Sequence, residues 1–180
     1  PNIEEHIKSI IDLKVPIVFT SAGNPNIWTK ELKQKNIKLV HVVSSVKFAL
    51  KAESSGVDAI VAEGFEAGGH NGIEETTTMC LVPDVAKAIN VPLIAAGGII
   101  DGKSMLAAMI LGADGVQMGT RIVASKESSA HENFKNMVLK AKEGDTRLTL
   151  KEITPVRMMK NKFYLEVEEL YKSSPSKEQL

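Results

Sequence analysis

Three glycine-bearing segments between residues 60 and 120 constrain this chain more than any other feature. They are Glu63-Gly-Phe-Glu-Ala-Gly-Gly-His-Asn-Gly72, Ala95-Ala-Gly-Gly-Ile99 and Gly112-Ala-Asp-Gly-Val-Gln-Met-Gly-Thr120. Each sits where an apolar run stops. The second and third follow strand-like runs at 91–96 and 115–118, with an apolar, helix-like segment between them. Strand, glycine turn and helix in repetition specify a parallel α/β fold. Glycine at a strand's carboxyl end lets the backbone approach a ligand closely and aim its N–H groups at an anion. Two such turns in succession read as one phosphate held from two sides. The alternative is a pair of tight turns that pack helices closely and hold no ligand.

The remaining chain repeats the same unit. Residues 1–14 pattern as a helix with Ile3, Ile7, Ile10, Ile11 and Leu13 largely on one face. Strands are expected at 15–20, 37–43, 57–62, 91–96 and 115–118. Between them fall a helix at 26–35 and one capped by Ser44 or Ser45, with Val46, Ala49 and Leu50 inward and Gly56 at its exit. Pro83 opens a short helix at 84–89, Asp101 caps one through Leu111, and another is predicted at 128–142. Met105 and Met109 are spaced as helix core. Nothing from 64 to 79 is clearly helical, although most α/β loops take only about 2–6 residues, so function is expected there.

Strand starts near 15, 37, 57, 91 and 114 fit either an open doubly wound sheet or a closed (β/α)₈ TIM barrel. Strands apolar on both sides, with phosphate turns after the last two, favour the barrel. Five strands cannot close it, and a barrel takes about 250 residues. Residues 1–145 are therefore expected to be the last five βα units of an incomplete barrel, lacking roughly three N-terminal units. Residues 146–180 read as a helical appendage packed on it, in which Phe163, Val167, Leu170 and Tyr171 form one apolar stripe. Thr149-Leu-Lys-Glu152 and Ser176-Lys-Glu-Gln179 look like capping boxes.

Composition narrows the function classes. Twenty-two basic against 22 acidic residues leave no electrostatic footprint for nucleic acid or an anionic membrane. Arg157, Lys160 and Lys162 read as a solvated face. Cys80 is the only cysteine, which excludes a disulfide framework, points to a reducing compartment and suggests a buried, inert thiol. No signal peptide leads the chain, and no apolar run approaches the roughly 18 residues of a membrane span. A soluble, cytoplasmic protein is expected.

At the glycine loops a family resemblance emerges. Ala62-Glu-Gly-Phe-Glu-Ala-Gly-Gly-His70, Ile94-Ala-Ala-Gly-Gly-Ile99 and Val116-Gln-Met-Gly-Thr-Arg121 resemble the flavin-dependent barrel family of nitronate monooxygenases (2-nitropropane dioxygenases) and FabK-type enoyl-ACP reductases. Ala124-Ser-Lys-Glu-Ser-Ser-Ala-His131 and Val156-Arg-Met-Met-Lys-Asn161 strengthen it, the former leaning toward the reductase branch. The resemblance spans about residues 15–171 and implies an FMN-binding (β/α)₈ barrel. Carried over, Gly97 and Gly98 would hold the FMN phosphate from one loop, and Gly119 and Thr120 from the next, with Ala96 and Met118 also among the cofactor-binding residues. Gln117 and the Ala67-Gly68-Gly69 turn would lie along the flavin and its ribityl chain. Glu66 would orient the loop, or contact flavin or a monovalent cation.

His70 is the candidate for proton chemistry. It follows a strand's carboxyl end between Gly69 and Gly72, and a histidine titrates near neutrality. The plainer alternative is a loop histidine bonded to backbone. His6, His41 and His131 have no such setting and read as surface or packing residues. Glu63 and Glu66 are a possible acid–base carboxylate pair, with Glu66 better seen as an orienting helper. The expected activity is FabK-type reduction of a trans-2-enoyl thioester, carried by acyl carrier protein or a small molecule, with NADH or NADPH as co-substrate. Nitronate oxidation with oxygen is the alternative, and a non-catalytic flavin- or phosphate-binding module a third. A homodimer is expected.

Overall fold

The computed structural model describes residues 2–177 and 179. After α1 (Ile3–Asp12), strands and helices alternate: β1 (Ile17–Ser21), α2 (Asn26–Gln34), β2 (Lys38–Val43), α3 (Val46–Ser54) and β3 (Ala59–Glu63). A two-residue strand, β4 (Gly69–His70), interrupts the loop before α4 (Thr78–Ala88), β5 (Leu93–Ala96), α5 (Gly102–Ile110) and β6 (Gly115–Gln117). The main sheet has the order β1-β2-β3-β5-β6, and every pairing is parallel. A doubly wound sheet reverses its strand order at a switch point. This one does not, which is the order of a barrel wall.

The two sheet faces confirm it. Leu39, Val43, Ile60, Ala62, Leu93 and Ala95 pack against helix residues such as Leu32, Ala49, Ala52, Val82 and Val85. On the opposite face Val40, Val61 and Ala96 form a separate cluster with Val42, Ala59 and Ile94, all of them strand residues. One helix-covered face and one face that packs strand side chains on each other is the layering of a (β/α)₈ barrel, whose interior is filled by its own strands. This is why the strands read as apolar on both sides.

Carboxylates fix the register at the amino ends of the strands. Asp58 Oδ2 accepts the Leu39 N–H at 3.0 Å and Asp114 Oδ2 accepts the Leu93 N–H at 2.8 Å. Each aspartate's own N–H donates back to the same residue's carbonyl, at 2.7 Å in both cases. Gly56-Val57-Asp58 and Gly112-Ala113-Asp114 are thus one device used twice. Glu53 does the same for the Asn90 and Val91 N–H groups, at 2.6 and 3.1 Å.

Several local expectations are corrected. The fourth helix begins at Thr78, six residues before the expected start, and Pro83 lies inside it. Its start is fixed by a side chain twelve positions away, described below. Cys80 is exposed rather than buried, because that earlier start leaves it on the solvent side of the first turn. Leu50 is largely exposed and Ala52 is buried in its stead. Met105 and Met109 are exposed, leaving Ala108 as the buried residue of α5. The helix expected at 128–142 is the shorter α7 (Glu132–Lys140), capped by His131 Nδ1, which accepts from the Asn133 N–H at 3.1 Å, and a separate one-turn helix, α6 (Thr120–Val123), precedes it.

The appendage is not all helix. Thr149, expected to cap one, ends β7 (Thr146–Thr149), which pairs antiparallel with β8 (Val156–Met159). In α8 (Lys162–Tyr171) the buried aromatic is Tyr164, one position from the exposed Phe163. The expected capping box at 176–179 includes residue 178, outside the described residues; the Ser176 N–H does donate to Gln179 Oε1 at 2.8 Å.

Burial pushes the Asp58 carboxyl up, but the Leu39 N–H, Lys38 and Lys33 outweigh it and leave it below the usual carboxylate value. A depressed carboxylate stabilises the fold above its unfolded pKa and loses that effect as pH falls through its folded one. Asp58→Ala should lower stability by about 1–2 kcal/mol at neutral pH. In urea titrations the difference from the unaltered protein should shrink below about pH 4.

Candidate functional site

The carboxyl ends of β3, β5 and β6 form one rim, and the loop after β3 folds across it. Glu66 anchors that loop. Its two carboxylate oxygens accept the Thr78 N–H at 3.2 and 3.0 Å, and Oε2 lies 3.0 Å from the Thr78 hydroxyl. Thr77, the residue that precedes α4, makes no side-chain cap of its own. The Glu66 carboxylate therefore serves as a long-range cap on the helix's first turn, where negative charge is favoured. The same hydroxyl lies 2.8 Å from the Gly97 carbonyl and 3.3 Å from that of Ala96. The Gly64 N–H donates to Ala96 O at 3.0 Å and the Ala67 N–H to Gly64 O at 3.1 Å.

These bonds bring the glycine segments together. Gly97 has φ +94°, and a Cβ there would meet Gly64 O at 2.7 Å. Gly98 has φ +72°, and a Cβ would stand 3.2 Å from Glu66 Cβ. A Cβ on Gly68 would lie 3.9 Å from Thr120 Oγ1, so the loop reaches the turn after β6. Ala96 pairs with Gln117 across β5 and β6, which sets the Gly97-Gly98 and Gly119-Thr120 turns side by side. Among the described residues, the N–H groups of Gly97, Gly98, Gly119 and Thr120 donate to no loop or cap acceptor. Four adjacent backbone donors on a rim that admits no Cβ at Gly97 fit a phosphate monoester such as that of FMN. Met118 instead packs toward the helix-side core, and Ala96 toward the strand-only cluster, so either can serve a ligand only through its backbone.

His70 is held from the appendage. Gly69 and His70 pair with Arg157 and Val156 of β8, giving a three-stranded sheet in the order β4-β8-β7. The Asn71 N–H donates to Pro155 O at 2.8 Å. Arg157 Nε donates to Phe65 O at 3.1 Å, and its guanidinium stands 5.1 Å from the Phe65 ring centroid. Arg157 is thus a clamp on the loop, not part of a solvated face.

A cavity of about 650 Å³ opens beside His70, lined also by Glu63, His41, Asn71, Lys51 and Ser44. Glu63 ends β3 on the inner face it shares with Val61, and burial pushes its carboxyl up. His41 is buried in β2 on the helix side, its Nδ1 2.7 Å from Thr20 Oγ1, and burial together with Lys51 lowers its pKa. Asn71 donates its amide to Ala67 O and Gly69 O at 2.9 and 3.0 Å, while its buried Oδ1 has no partner among the described residues. The cavity includes none of Gly97, Gly98, Gly119 or Thr120. The paired glycine turns and the His70 cavity are neighbours along one rim rather than one enclosed pocket.

Read from the sequence alone, His41 takes a surface or packing role, Arg157 a place on a solvated face, and Asn71 no role of its own. Asn71 adjoins the glycine–histidine motif and was readable as part of it. His41 sits in an apolar strand with no local cue, and Arg157 acts across 92 positions.

Paired glycine turns and a neighbouring histidine on the carboxyl rim of a parallel barrel wall define the site. The family model for nitronate monooxygenase matches residues 2–179, and the chain belongs to that family. It is 43% identical over 153 residues to a probable nitronate monooxygenase of Staphylococcus aureus, covering 80% of this chain and 43% of that protein. It is 44% identical to FabK from Thermotoga maritima, with a TM-score of 0.89, over 94% of this chain and 54% of that one. Nitroalkane oxidase from Streptomyces ansochromogenes is 28% identical with a TM-score of 0.80, over 91% and 50%. The chain spans about half the length of these relatives.

Gly97→Ala should cost about 1–3 kcal/mol, since both its φ and the Gly64 carbonyl oppose a side chain. Gly119→Ala, at negative φ with open space around it, should leave the melting temperature within a degree or two (about 0.5 kcal/mol). Paired thermal melts would check the contrast.

Proposed function

We propose that the whole protein is an FMN-dependent oxidoreductase reducing trans-2-enoyl thioesters with NADH or NADPH, in the manner of FabK-type reductases. One observation carries this reading: four backbone donors at Gly97, Gly98, Gly119 and Thr120, which meet no loop or cap acceptor among the described residues, lie beside a strand-held histidine. The likeness to FabK over 94% of the chain supports it.

Gly97, Gly98, Gly119 and Thr120 would hold the FMN phosphate, and Gly68, Gly69 and Gln117 would lie along the rest of the cofactor. A bound flavin would supply the two-electron transfer from the nicotinamide to the substrate. The net reaction places a hydride on the β-carbon and a proton on the α-carbon. His70 would deliver that proton, its backbone fixed by β8 so that the ring is positioned before substrate arrives. Glu66 has both oxygens committed to Thr78, which makes it a loop anchor rather than a cation ligand. Acyl carrier protein is the expected donor of the thioester, with a homodimer as the working assembly.

The second reading is nitronate oxidation with oxygen as electron acceptor, favoured by the family match and the curated relative. There His70 would act on an alkyl nitronate. Full-length protein should separate the two: NADH oxidation with crotonyl thioester selects the first, and oxygen uptake with propionate 3-nitronate the second. Under either, His70→Ala should lower turnover by about 10²–10⁴ while retaining the flavin absorption spectrum. Unchanged turnover would remove His70 from the mechanism.

A further inference from the structure

Two polar groups on the helix side of the His70 cavity are left unspent by the fold. Lys51, on α3, makes no hydrogen bond or ion pair with any described residue, whereas Lys33 and Lys38 both pair with Asp58. His41 is 5% exposed on β2, and its Nδ1 lies 2.7 Å from Thr20 Oγ1. Its Nε2 therefore has no partner among the described residues, although the residue lines the cavity. With the Thr20 hydroxyl donating to Nδ1, the neutral imidazole carries its proton on Nε2 and can donate it to a ligand. Ser44 joins this end of the cavity to His70: a Cβ on Gly72 would stand 2.4 Å from Ser44 Cβ, so the histidine loop closes against the start of α3. There the Ser45 side chain caps the Phe48 N–H, and the Val46 and Lys47 N–H groups donate to no loop or cap acceptor. A helix's first turn favours negative charge. The carboxylate that lines the cavity, Glu63, stands on β3. Burial alone pushes its carboxyl up, while burial and then Lys51 lower the His41 pKa, so the cation sits with His41 and away from Glu63.

We propose that Lys51 and His41 form an anion subsite, which holds a carboxylate that the substrate carries at the end away from its reacting carbon. This rests on the reading of the His70 cavity as the substrate site, and it is compatible with an enoyl thioester and with an alkyl nitronate alike. One ammonium and one neutral N–H donor match the single charge of a carboxylate better than the two charges of a phosphate monoester, and its two oxygens can take both donors together. The glycine turns proposed for the FMN phosphate lie outside this cavity, so the two anions would not compete. Lys51 and His41 thus act on specificity and touch no reacting atom.

The test uses full-length, flavin-loaded protein at about pH 7 and two ligands that differ at one end only, 3-nitropropionate and 1-nitropropane, a carboxylate against a methyl. Binding is read from the flavin absorption spectrum, without turnover. The unaltered protein should hold 3-nitropropionate about tenfold more tightly than 1-nitropropane. Lys51→Met keeps the aliphatic stem and should cut that preference to about twofold, with 1-nitropropane binding unchanged, while Lys51→Arg should keep it. His41→Gln should lower it about threefold. Lys47→Met, on the same helix but outside the cavity, should leave it intact; an equal loss there would trace the preference to the helix's general field and overturn the subsite. So would equal affinities in the unaltered protein, or a ratio that Lys51→Met leaves unchanged within about twofold. If the protein turns over neither enoyl thioester nor nitronate while Lys51→Met still moves the ratio, the functional reading fails and the subsite stands. If turnover is found and the ratio does not move, the function stands and the subsite falls. If neither ligand perturbs the flavin, the cavity is not the substrate site and both fall.

Discussion

The contact between the Glu66 carboxylate and Thr78 is the constraint on which the rest of the rim depends. It is a charge-assisted bond to a helix's first N–H, made by a side chain on another segment. Without it α4 would lack a side-chain cap, since Thr77 provides none. The same threonine hydroxyl passes the tether on to the Gly97 carbonyl. One carboxylate thus ties together the loop after β3, the start of α4 and the turn after β5. The glycines follow from this crowding: Gly97 and Gly98 are small because Gly64 and Glu66 occupy the space their side chains would need.

Seen along the strand axis, the two ends of the wall use carboxylates differently. At the amino ends Asp58, Asp114 and Glu53 are consumed by backbone donors and hold the strand register. At the carboxyl ends Glu63 remains unengaged beside a cavity, and a set of backbone donors lies open next to it. A barrel wall built this way has one rim satisfied by itself and one with hydrogen-bonding capacity left over. Chemistry belongs to the second, in keeping with where barrel enzymes place their sites.

Much of the architecture was legible because it is written in local patterns. Two-sided apolar strands at regular spacing, the Asp101 cap and the Gly56 exit are short-range signals, and each found its element. What failed depends on distance. Pro83 looks like a helix start because proline is favoured in a first turn, but Glu66 caps the helix earlier and prevails. Phe163 and Tyr164 are adjacent aromatics, and only tertiary packing chooses which is buried. The residues of the proposed phosphate grip were readable as glycine turns. His41 and Arg157 were not, since a buried strand histidine and a clamp 92 positions away leave no local trace.

The hairpin of residues 146–159 is where fold and chemistry meet. A two-residue strand such as β4 cannot hold itself, because short isolated pairings are marginal in water. It is ordered by β8, and β8 by β7, while Arg157 reaches past them to grip Phe65 at the base of the same loop. The histidine proposed to move a proton is therefore placed by a segment nearly ninety positions later in the chain, from outside the parallel wall. This division has a physical rationale. The wall's own loops are already tied to the glycine turn after β5 through Glu66 and Thr78, and a backbone pinned at both tasks would leave no freedom to set the imidazole independently. A separate antiparallel support lets the ring be positioned without disturbing the glycine turns beside it.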